Sequence, residues 1–181
     1  MHIKGKKVII IGERDGIQGP AIEACVKSAG GEPVMTQTQC FVWTAAGAFD
    51  LEGQEMAKKA ADTHGKDNLI VILGSPDADS SELYAETLIN GDPSWIGPLA
   101  GVALGLPVFH IMEPEIKAQL DPEVYKEHLE LMEIALDVEA ISKGLNRVRK
   151  KDGQGSWGQE FAQTMGCSQN PGRGLKAENY L

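Results

Sequence analysis

The sequence has few cysteines and few aromatic residues, and it has no long apolar run. Its three cysteines, Cys25, Cys40 and Cys167, have no regular spacing, so they form neither a disulfide framework nor a zinc site, which needs about four ligands. There is no run of about 18 apolar residues, and residues 1–7 lack the apolar core of a signal peptide. These absences predict a cytoplasmic protein without a membrane segment, in which any disulfide is transient.

Positive charge is also scarce. The 181 residues include 17 Lys and Arg against 26 Asp and Glu, which gives a formal net charge of −9. Nucleic acid and anionic membranes would repel such a chain, so neither is expected as a partner, whereas long-range attraction favours basic partners. With 42% hydrophobic residues, the length fits one globular domain.

Short apolar runs alternate with helical segments along the first two thirds of the chain. The runs at residues 7–12 and 68–74 are rich in β-branched residues and end in glycine, which is typical of strands buried on both faces of a parallel sheet. Weaker strands are predicted at 33–36 and 107–111, and helices at 20–26, 50–65 and 80–89. The alternation predicts a single-domain α/β fold with a doubly wound, mostly parallel sheet of the flavodoxin or Rossmann type.

The C-terminal part combines a strong helix start with a change of composition. Asp121, Pro122 and Glu123 supply an N-cap acceptor, a proline at the first helical position and an acid in the first turn. Apolar residues then recur at spacings of three and four, at Leu131, Ile134, Val138, Ile141, Leu145 and Val148. This seam predicts one long C-terminal helix, interrupted if anywhere near Gly144, that packs on the sheet or, alternatively, on a partner.

Residues 152–181 are rich in Gly, Gln, Ser and Asn and show no periodicity. Such a composition is typical of a disordered segment, because it cannot bury enough apolar surface to offset the entropy lost on ordering. We therefore expect a domain at residues 1–151 followed by a disordered tail.

A glycine-rich loop follows the first predicted strand, with Gly12, Gly16 and Gly19 ahead of a helix. The spacing is not the dinucleotide fingerprint, and the acidic Glu13 and Asp15 would oppose a pyrophosphate. The favoured interpretation is a strand-to-helix turn. If the loop binds an anion, a small carboxylate fits better than a nucleotide.

The remaining metal-type and nucleophilic residues are scattered. The four histidines have no second ligand at helical spacing, so no metal site is predicted. His110, at the end of a predicted strand, is the histidine that would reach the ligand-binding edge of the sheet, although a packed and hydrogen-bonded role is favoured. Cys25 is predicted to be a small buried hydrophobic residue, and Cys167 is predicted to be an exposed thiol in the tail.

Cys40 directly follows a predicted strand, at the sheet edge where doubly wound folds bind ligands. Trp43 stands three positions later, where a second redox residue would be expected. An indole is neither a nucleophile nor a redox partner for a thiol, and its one polar group only donates. Taken alone, the pair is an ordinary cysteine beside an ordinary aromatic residue.

The longer stretch around this pair resembles the selenoprotein A component of glycine, sarcosine and betaine reductase complexes. The resemblance covers Cys40-Phe41-Val42-Trp43-Thr44-Ala45-Ala46-Gly47-Ala48-Phe49-Asp50-Leu51-Glu52. Further similar segments lie between Lys6 and Lys150, namely Lys6-Lys7-Val8-Ile9-Ile10-Ile11-Gly12, Asp15-Gly16, Gly19-Pro20-Ala21-Ile22-Glu23, Gly97-Pro98-Leu99-Ala100-Gly101-Val102 and Val108-Phe109-His110. In that family the position of Trp43 carries selenocysteine. Its codon, UGA, is read as tryptophan in some contexts.

The resemblance implies a redox-active carrier for amino-acid fermentation. The selenocysteine at position 43 would take a carboxymethyl group from protein B as a selenoether and pass the two-carbon unit to protein C as an acetyl group. It would then form a selenide-sulfide with Cys40, which thioredoxin reduces. No bound cofactor is implied other than selenium within residue 43. Glycine, sarcosine and betaine all remain open as donors, and so does the oligomeric state.

The tryptophan at position 43 removes the nucleophile that this chemistry needs. We therefore expect the Trp43 polypeptide to be inactive in glycine reduction. Two other classes stay open: a catalytically dead docking or regulatory subunit, and a flavodoxin-like module that binds a small molecule.

Overall fold

The computed structural model describes residues 2–40 and 49–151, which form a parallel β-sheet with helices on both faces. The strands are β1 (Lys7–Glu13), β2 (Glu32–Gln39), β3 (Leu69–Gly74) and β4 (Val108–His110). Their order is β2-β1-β3-β4, and each of these pairings is parallel. The predicted α/β class with a doubly wound sheet is confirmed. The predicted tail at residues 152–181 lies outside the described residues and stays a prediction.

Helices connect the strands and complete the domain. They are α1 (Gly19–Ser28), α2 (Leu51–His64), α3 (Ala78–Asn90), α4 (Pro114–Lys117), α5 (Pro122–His128), α6 (Glu130–Ala135) and α7 (Val138–Lys151). The first three correspond to the three helices predicted between strands. No helix in the described ranges is long and apolar enough to cross a membrane.

Successive side chains of β1 enter two separate cores, one on each face of the sheet. Ile9 and Ile11 belong to one apolar cluster, whereas Val8 and Ile10 belong to the other. All four are fully buried, and β3 alternates in the same way. Burying one such side chain contributes about 1.5–3 kcal/mol, so both strands need helices on both faces.

The helices divide between these two cores. The first core receives residues from α2, α3 and α7, among them Ala57, Leu88 and Leu145. The second receives residues from α1, α4 and α5, among them Ile22, Ile116 and Tyr125. The sheet is thus covered on both faces, which leaves its carboxyl edge as the place where loops converge.

Aspartates cap the N-termini of α2, α3 and α5. Asp77 caps α3 by accepting from the backbone N–H of Ser80 at 2.8 Å. Asp121 caps α5 by accepting from Glu123 N at 2.9 Å, as the sequence predicts. Asp50 caps α2 by accepting from Gly53 N. Each cap satisfies a backbone donor that the helix itself cannot pair.

The C-terminal helix is present, but it begins at Val138 and not at Asp121. The chain between them forms the short helices α5 and α6. Leu136 ends α6 in an extended conformation, with ψ of 138°. Asp137 then accepts from Ala140 N at 2.9 Å and so caps α7. The predicted helix is therefore interrupted twice, at Leu129 and at residues 136–137, while Gly144 lies inside α7.

The second interruption lets the helices before and after it pack on different surfaces. α5 packs beside α1 in the second core, whereas α7 packs on α3 in the first. A single straight helix could not contact both faces of the sheet. Ile141, Leu145 and Val148 are buried as predicted, but Leu131 and Ile134 are 80% and 86% exposed. The prediction of sheet packing is right for α7 and wrong for α6.

Candidate functional site

The candidate site lies where β1 and β2 end side by side. Glu13 and Gln39 are the last paired residues of the two strands. The backbone N–H of Arg14 then donates to the carbonyl of Gln39 at 2.9 Å. Cys40 follows directly, is partly buried and forms no disulfide. The structure therefore places the predicted cysteine at the carboxyl edge of the sheet, where α/β folds hold their ligands.

The glycine loop after β1 is a tight strand-to-helix turn, in agreement with the favoured interpretation. A Cβ at Gly12 would lie 2.2 Å from the backbone nitrogen of Gly19, and one at Gly16 would lie 2.3 Å from the carbonyl oxygen of Gly74. These contacts require glycine because backbone atoms fill the space. The N–H of Gly19, at the start of α1, donates to Thr38 Oγ1 at 3.0 Å. The helix start is thus engaged by β2 itself.

A buried polar pair lies beneath this edge. Glu13 is 1% exposed, and the hydroxyl of Tyr84, which is equally buried, donates to Glu13 Oε2 at 3.4 Å. Burial raises the pKa of Tyr84, and the carboxylate of Glu13 raises it further, so the phenol stays protonated. The sequence analysis placed Glu13 in a loop. Its alternation with Ile9 and Ile11 could have shown that it faces the first core.

Residues just before α2 are held firmly against this pair. Phe49 packs edge-on against the ring of Tyr84, with centroids 5.6 Å apart. Its carbonyl accepts from Nε2 of the buried Gln54 at 2.8 Å. Gln37 of β2 donates from Nε2 to Asp50 Oδ2 at 3.3 Å. The structure thus fixes the chain on either side of residues 41–48, which lie outside the described residues and include Trp43.

His110 does not act at this edge. It is fully buried at the end of β4, with Nε2 donating to the carbonyl of Ser75 at 3.0 Å and Nδ1 accepting from Met112 N at 3.2 Å. Burial lowers the pKa of His110 to about 4, so the ring is neutral at pH 7. The packed, hydrogen-bonded role favoured for it is confirmed.

In the described part of the chain, the other metal-type and thiol residues offer no competing site. Cys25 is buried in α1, and burial raises the pKa of its thiol to about 11, which confirms its assignment as a small hydrophobe. Cys167 lies outside the described residues. Within the ranges 2–40 and 49–151, no group of three or more His, Cys, Asp or Glu could hold a metal ion.

Comparison with known proteins decides the family. The family model described as glycine reductase complex selenoprotein A matches residues 3–149. The chain belongs to the selenoprotein A family. The match spans both faces of the sheet and the whole carboxyl edge around Cys40, and it confirms the resemblance found in the sequence. The family name is that of a selenoprotein in an oxidoreductase complex.

Curated relatives agree with this selenoprotein A assignment. The chain is 58% identical over 151 residues to the glycine/sarcosine/betaine reductase complex component A of Symbiobacterium thermophilum, covering 83% of this chain and 97% of that protein. It is 56% identical over 149 residues to the component A of Gottschalkia purinilytica, covering 82% and 99%. The component A of Treponema denticola is 52% identical over 151 residues, covering 83% and 96%. No solved structure matches the chain.

Proposed function

We propose that this chain is the redox-active carrier of a glycine, sarcosine or betaine reductase, with position 43 as its selenocysteine position. The observation that carries the proposal is Cys40: a free, partly buried thiol at the carboxyl edge, three positions before residue 43, in a chain of the selenoprotein A family. A two-residue spacer lets a thiol close a ring with the neighbouring chalcogen, as in Cys-x-x-Cys pairs.

The first step transfers carbon to selenium. A selenol is more acidic than a thiol and is ionised at neutral pH, so it is the stronger nucleophile. The selenolate at position 43 attacks the methylene carbon of glycine held as a Schiff base on protein B. The carbon–selenium bond forms, the carbon–nitrogen bond breaks, and nitrogen leaves with the bonding pair as ammonia. The product is a carboxymethyl selenoether.

The second step reduces the two-carbon unit. The sulfur of Cys40 bonds to selenium, the selenium–carbon bond breaks, and the methylene takes the electron pair and a proton to become a methyl group. Protein C receives this unit as an acetyl thioester, with loss of water, and releases it as acetyl phosphate after attack by phosphate. Selenium and the Cys40 sulfur are together oxidised by two electrons. Thioredoxin returns these electrons and two protons.

The described residues support Cys40 in this role by position. β2 carries the thiol to the carboxyl edge, and the hydrogen bond between Arg14 and Gln39 fixes the backbone immediately before it. On the far side of residues 41–48, Phe49 and Asp50 are held by Gln54 and Gln37. Described residues on both sides of the segment that contains position 43 are therefore held in place.

Reconstitution with proteins B and C tests the two steps separately. We expect the form with selenocysteine at position 43 to release ammonia and acetyl phosphate, and the Trp43 form to release neither. The Cys40→Ser variant of the selenocysteine form is expected to release one equivalent of ammonia and no acetyl phosphate, because only the second step needs the thiol. Multiple turnovers in that variant would contradict the proposed role of Cys40.

A second candidate function rests on the tryptophan itself. If position 43 is tryptophan in the native host, the chain is a docking or regulatory subunit that binds its partners without turnover. Mass spectrometry of the tryptic peptide Ser28–Lys58 from that host decides between the two. A selenium isotope pattern supports the carrier, whereas a tryptophan mass supports the docking subunit.

A further inference from the structure

Arg14 and Cys40 occupy matching positions just beyond the ends of β1 and β2. The register pairs Gly12 with Thr38 and Glu13 with Gln39, so the next positions along the two chains are Arg14 and Cys40. The hydrogen bond from Arg14 N to Gln39 O continues the ladder by one step. Neighbouring parallel strands run about 4.8 Å apart, and matched residues point to the same side. Arg14 and Cys40 thus follow neighbouring strand ends that this hydrogen bond joins, with Arg14 already in the turn after β1.

Among the residues that the structure describes, Asp15 alone accepts from the Arg14 guanidinium, which leaves further donors for a ligand. Its Nε and Nη2 each donate to the carboxylate of the adjacent Asp15 at 3.2 Å, and both side chains are 52% exposed. An exposed ion pair of this kind contributes little free energy, so Asp15 orients the Arg14 guanidinium but leaves it able to bind another anion. A guanidinium has five N–H donors, and within the described residues no other acceptor takes one from Arg14.

Electrostatics also connects Arg14 with Cys40. The pKa of Arg14 is raised first by its hydrogen bond to Asp15, then by the charge of Asp15 and then by the Cys40 thiolate. Two other described basic residues at the carboxyl edge are unsuitable, because His110 is neutral and Arg149 is engaged by Glu113 beside β4. Glu13 and Asp15 would repel an anion. Arg14 is the cation that the register sets beside the reactive thiol.

We propose that Arg14 binds the carboxylate of a two-carbon unit carried beside Cys40, and that this edge is a site for small carboxylates with a reactive methylene group. The place of this carboxylate site in catalysis rests on the proposed carrier function, in which the carried carboxymethyl group ends in a carboxylate. Arginine suits that group because its planar fork can hold both oxygens. The anchor would keep the unit in place between its two covalent transfers.

A pair of alkylating reagents tests the site on this chain alone. Iodoacetate and iodoacetamide both react with the Cys40 thiolate, which attacks the methylene carbon while iodide leaves with the bonding pair. They share this chemistry, but only iodoacetate carries a carboxylate. The ratio of their rate constants therefore reports binding of the carboxylate and cancels the intrinsic reactivity of the thiol. The peptide Ser28–Lys58 contains Cys40 and no other cysteine, so mass spectrometry can follow it.

We expect Arg14→Gln to lower the iodoacetate-to-iodoacetamide ratio roughly fourfold at low salt, as a charge about 5 Å away in water would. Arg14→Lys is expected to retain most of the ratio, because the charge remains. Asp15→Asn removes a competing carboxylate and should raise it. All three effects should shrink at about 1 M salt, where the screening length is about 3 Å.

The matched control is Lys143→Gln. Lys143 is also an exposed cation paired with a nearby acid, Glu139, but it lies on α7, and the substitution changes the net charge by the same amount. An unchanged ratio in Arg14→Gln, or an equal fall in Lys143→Gln, would overturn the proposal. No other reductase protein enters this measurement, so its outcome is independent of the reconstitution that tests the carrier function.

Discussion

Arg149 holds the carboxylate of Glu113 in a two-pronged pair, with Nη2 at 2.6 Å from Oε1 and Nη1 at 3.1 Å from Oε2. The two side chains are 20% and 5% exposed. Arg149 also donates to the carbonyl of Val108 at 2.9 Å, and its guanidinium lies 4.7 Å from the centroid of the Phe109 ring. The pair therefore joins α7 to β4.

Replacing Arg149 with methionine should destabilise the fold by about 2–4 kcal/mol, because it leaves the buried carboxylate of Glu113 without its partner. Urea denaturation measures the loss. The double variant Arg149→Met with Glu113→Gln should recover part of it, since a neutral amide costs less to bury. Wild-type stability in the single variant would show that the pair contributes nothing.

His110 should make stability depend on pH between pH 6.5 and 5. Its pKa is about 4 in the folded protein and about 6.5 in the unfolded chain, so within this interval only the unfolded chain takes up the proton. Stability is therefore complete above pH 6.5 and falls as the pH drops, by about 2 kcal/mol at pH 5. Below pH 4 His110 is protonated in both states, so it causes no further loss of stability.

Unfolding of His110→Asn across the same pH interval checks this expectation. The variant should lose most of the pH dependence, whatever its absolute stability. His128→Asn is the matched control, because it removes an exposed imidazole at the end of α5. Equal slopes for His110→Asn and the unmodified protein would contradict the assignment.

Two glycine substitutions should differ sharply in their effect on stability, although in both the new side chain crowds a neighbouring residue. In Gly12→Ala the new Cβ meets backbone atoms of Gly19 and Gln18 that cannot move, and we expect a loss of about 3 kcal/mol or more. In Gly144→Ala it meets the flexible carboxylate of Glu82, and α7 gains about 1 kcal/mol of helix propensity. Gly144→Ala should remain within about 1 kcal/mol of the unmodified protein. Thermal unfolding compares the two.

Cys40 and Cys25 should react with iodoacetamide at very different rates. Cys25 is fully buried, and its pKa of about 11 leaves roughly one thiolate in several thousand at pH 7.5. Cys40 is partly exposed at the end of β2. We expect alkylation of Cys40 to be at least about a hundredfold faster. Peptide mass spectrometry of timed samples resolves both, and comparable rates would mean that α1 opens readily.

Much of this fold follows from local sequence. The apolar runs at residues 8–11 in β1 and residues 69–73 in β3 supply side chains to both cores, so their burial between two helical layers can be predicted from the sequence. Asp121 with Pro122 specifies its helix start by capping chemistry alone. Such features depend only on residues close together in the sequence, and the sequence therefore predicts them.

The features that escaped prediction depend on distant contacts. The heptad seam continues through residues 131–148, yet Asp137 restarts the helix so that α5 and α7 reach opposite faces of the sheet. The sequence suggests that Glu13 is an acidic residue in a loop. Its buried partner, the hydroxyl of Tyr84, is 71 residues away. Likewise, Arg14 and Cys40 become neighbours only once the register of β1 and β2 is known. The cysteine itself was found because its surrounding motif was recognisable.

The strand order places Cys40, directly after β2, at the margin of the sheet. Within the described residues β2 pairs with β1 alone, and its sequence, with Pro33 and two polar Gln side chains, differs from the apolar strands beside it. Edge strands release fewer hydrogen bonds than central ones when they separate, so local opening there needs less free energy than global unfolding. Local opening of β2 would therefore expose Cys40 while the ladders joining β1, β3 and β4 stay closed.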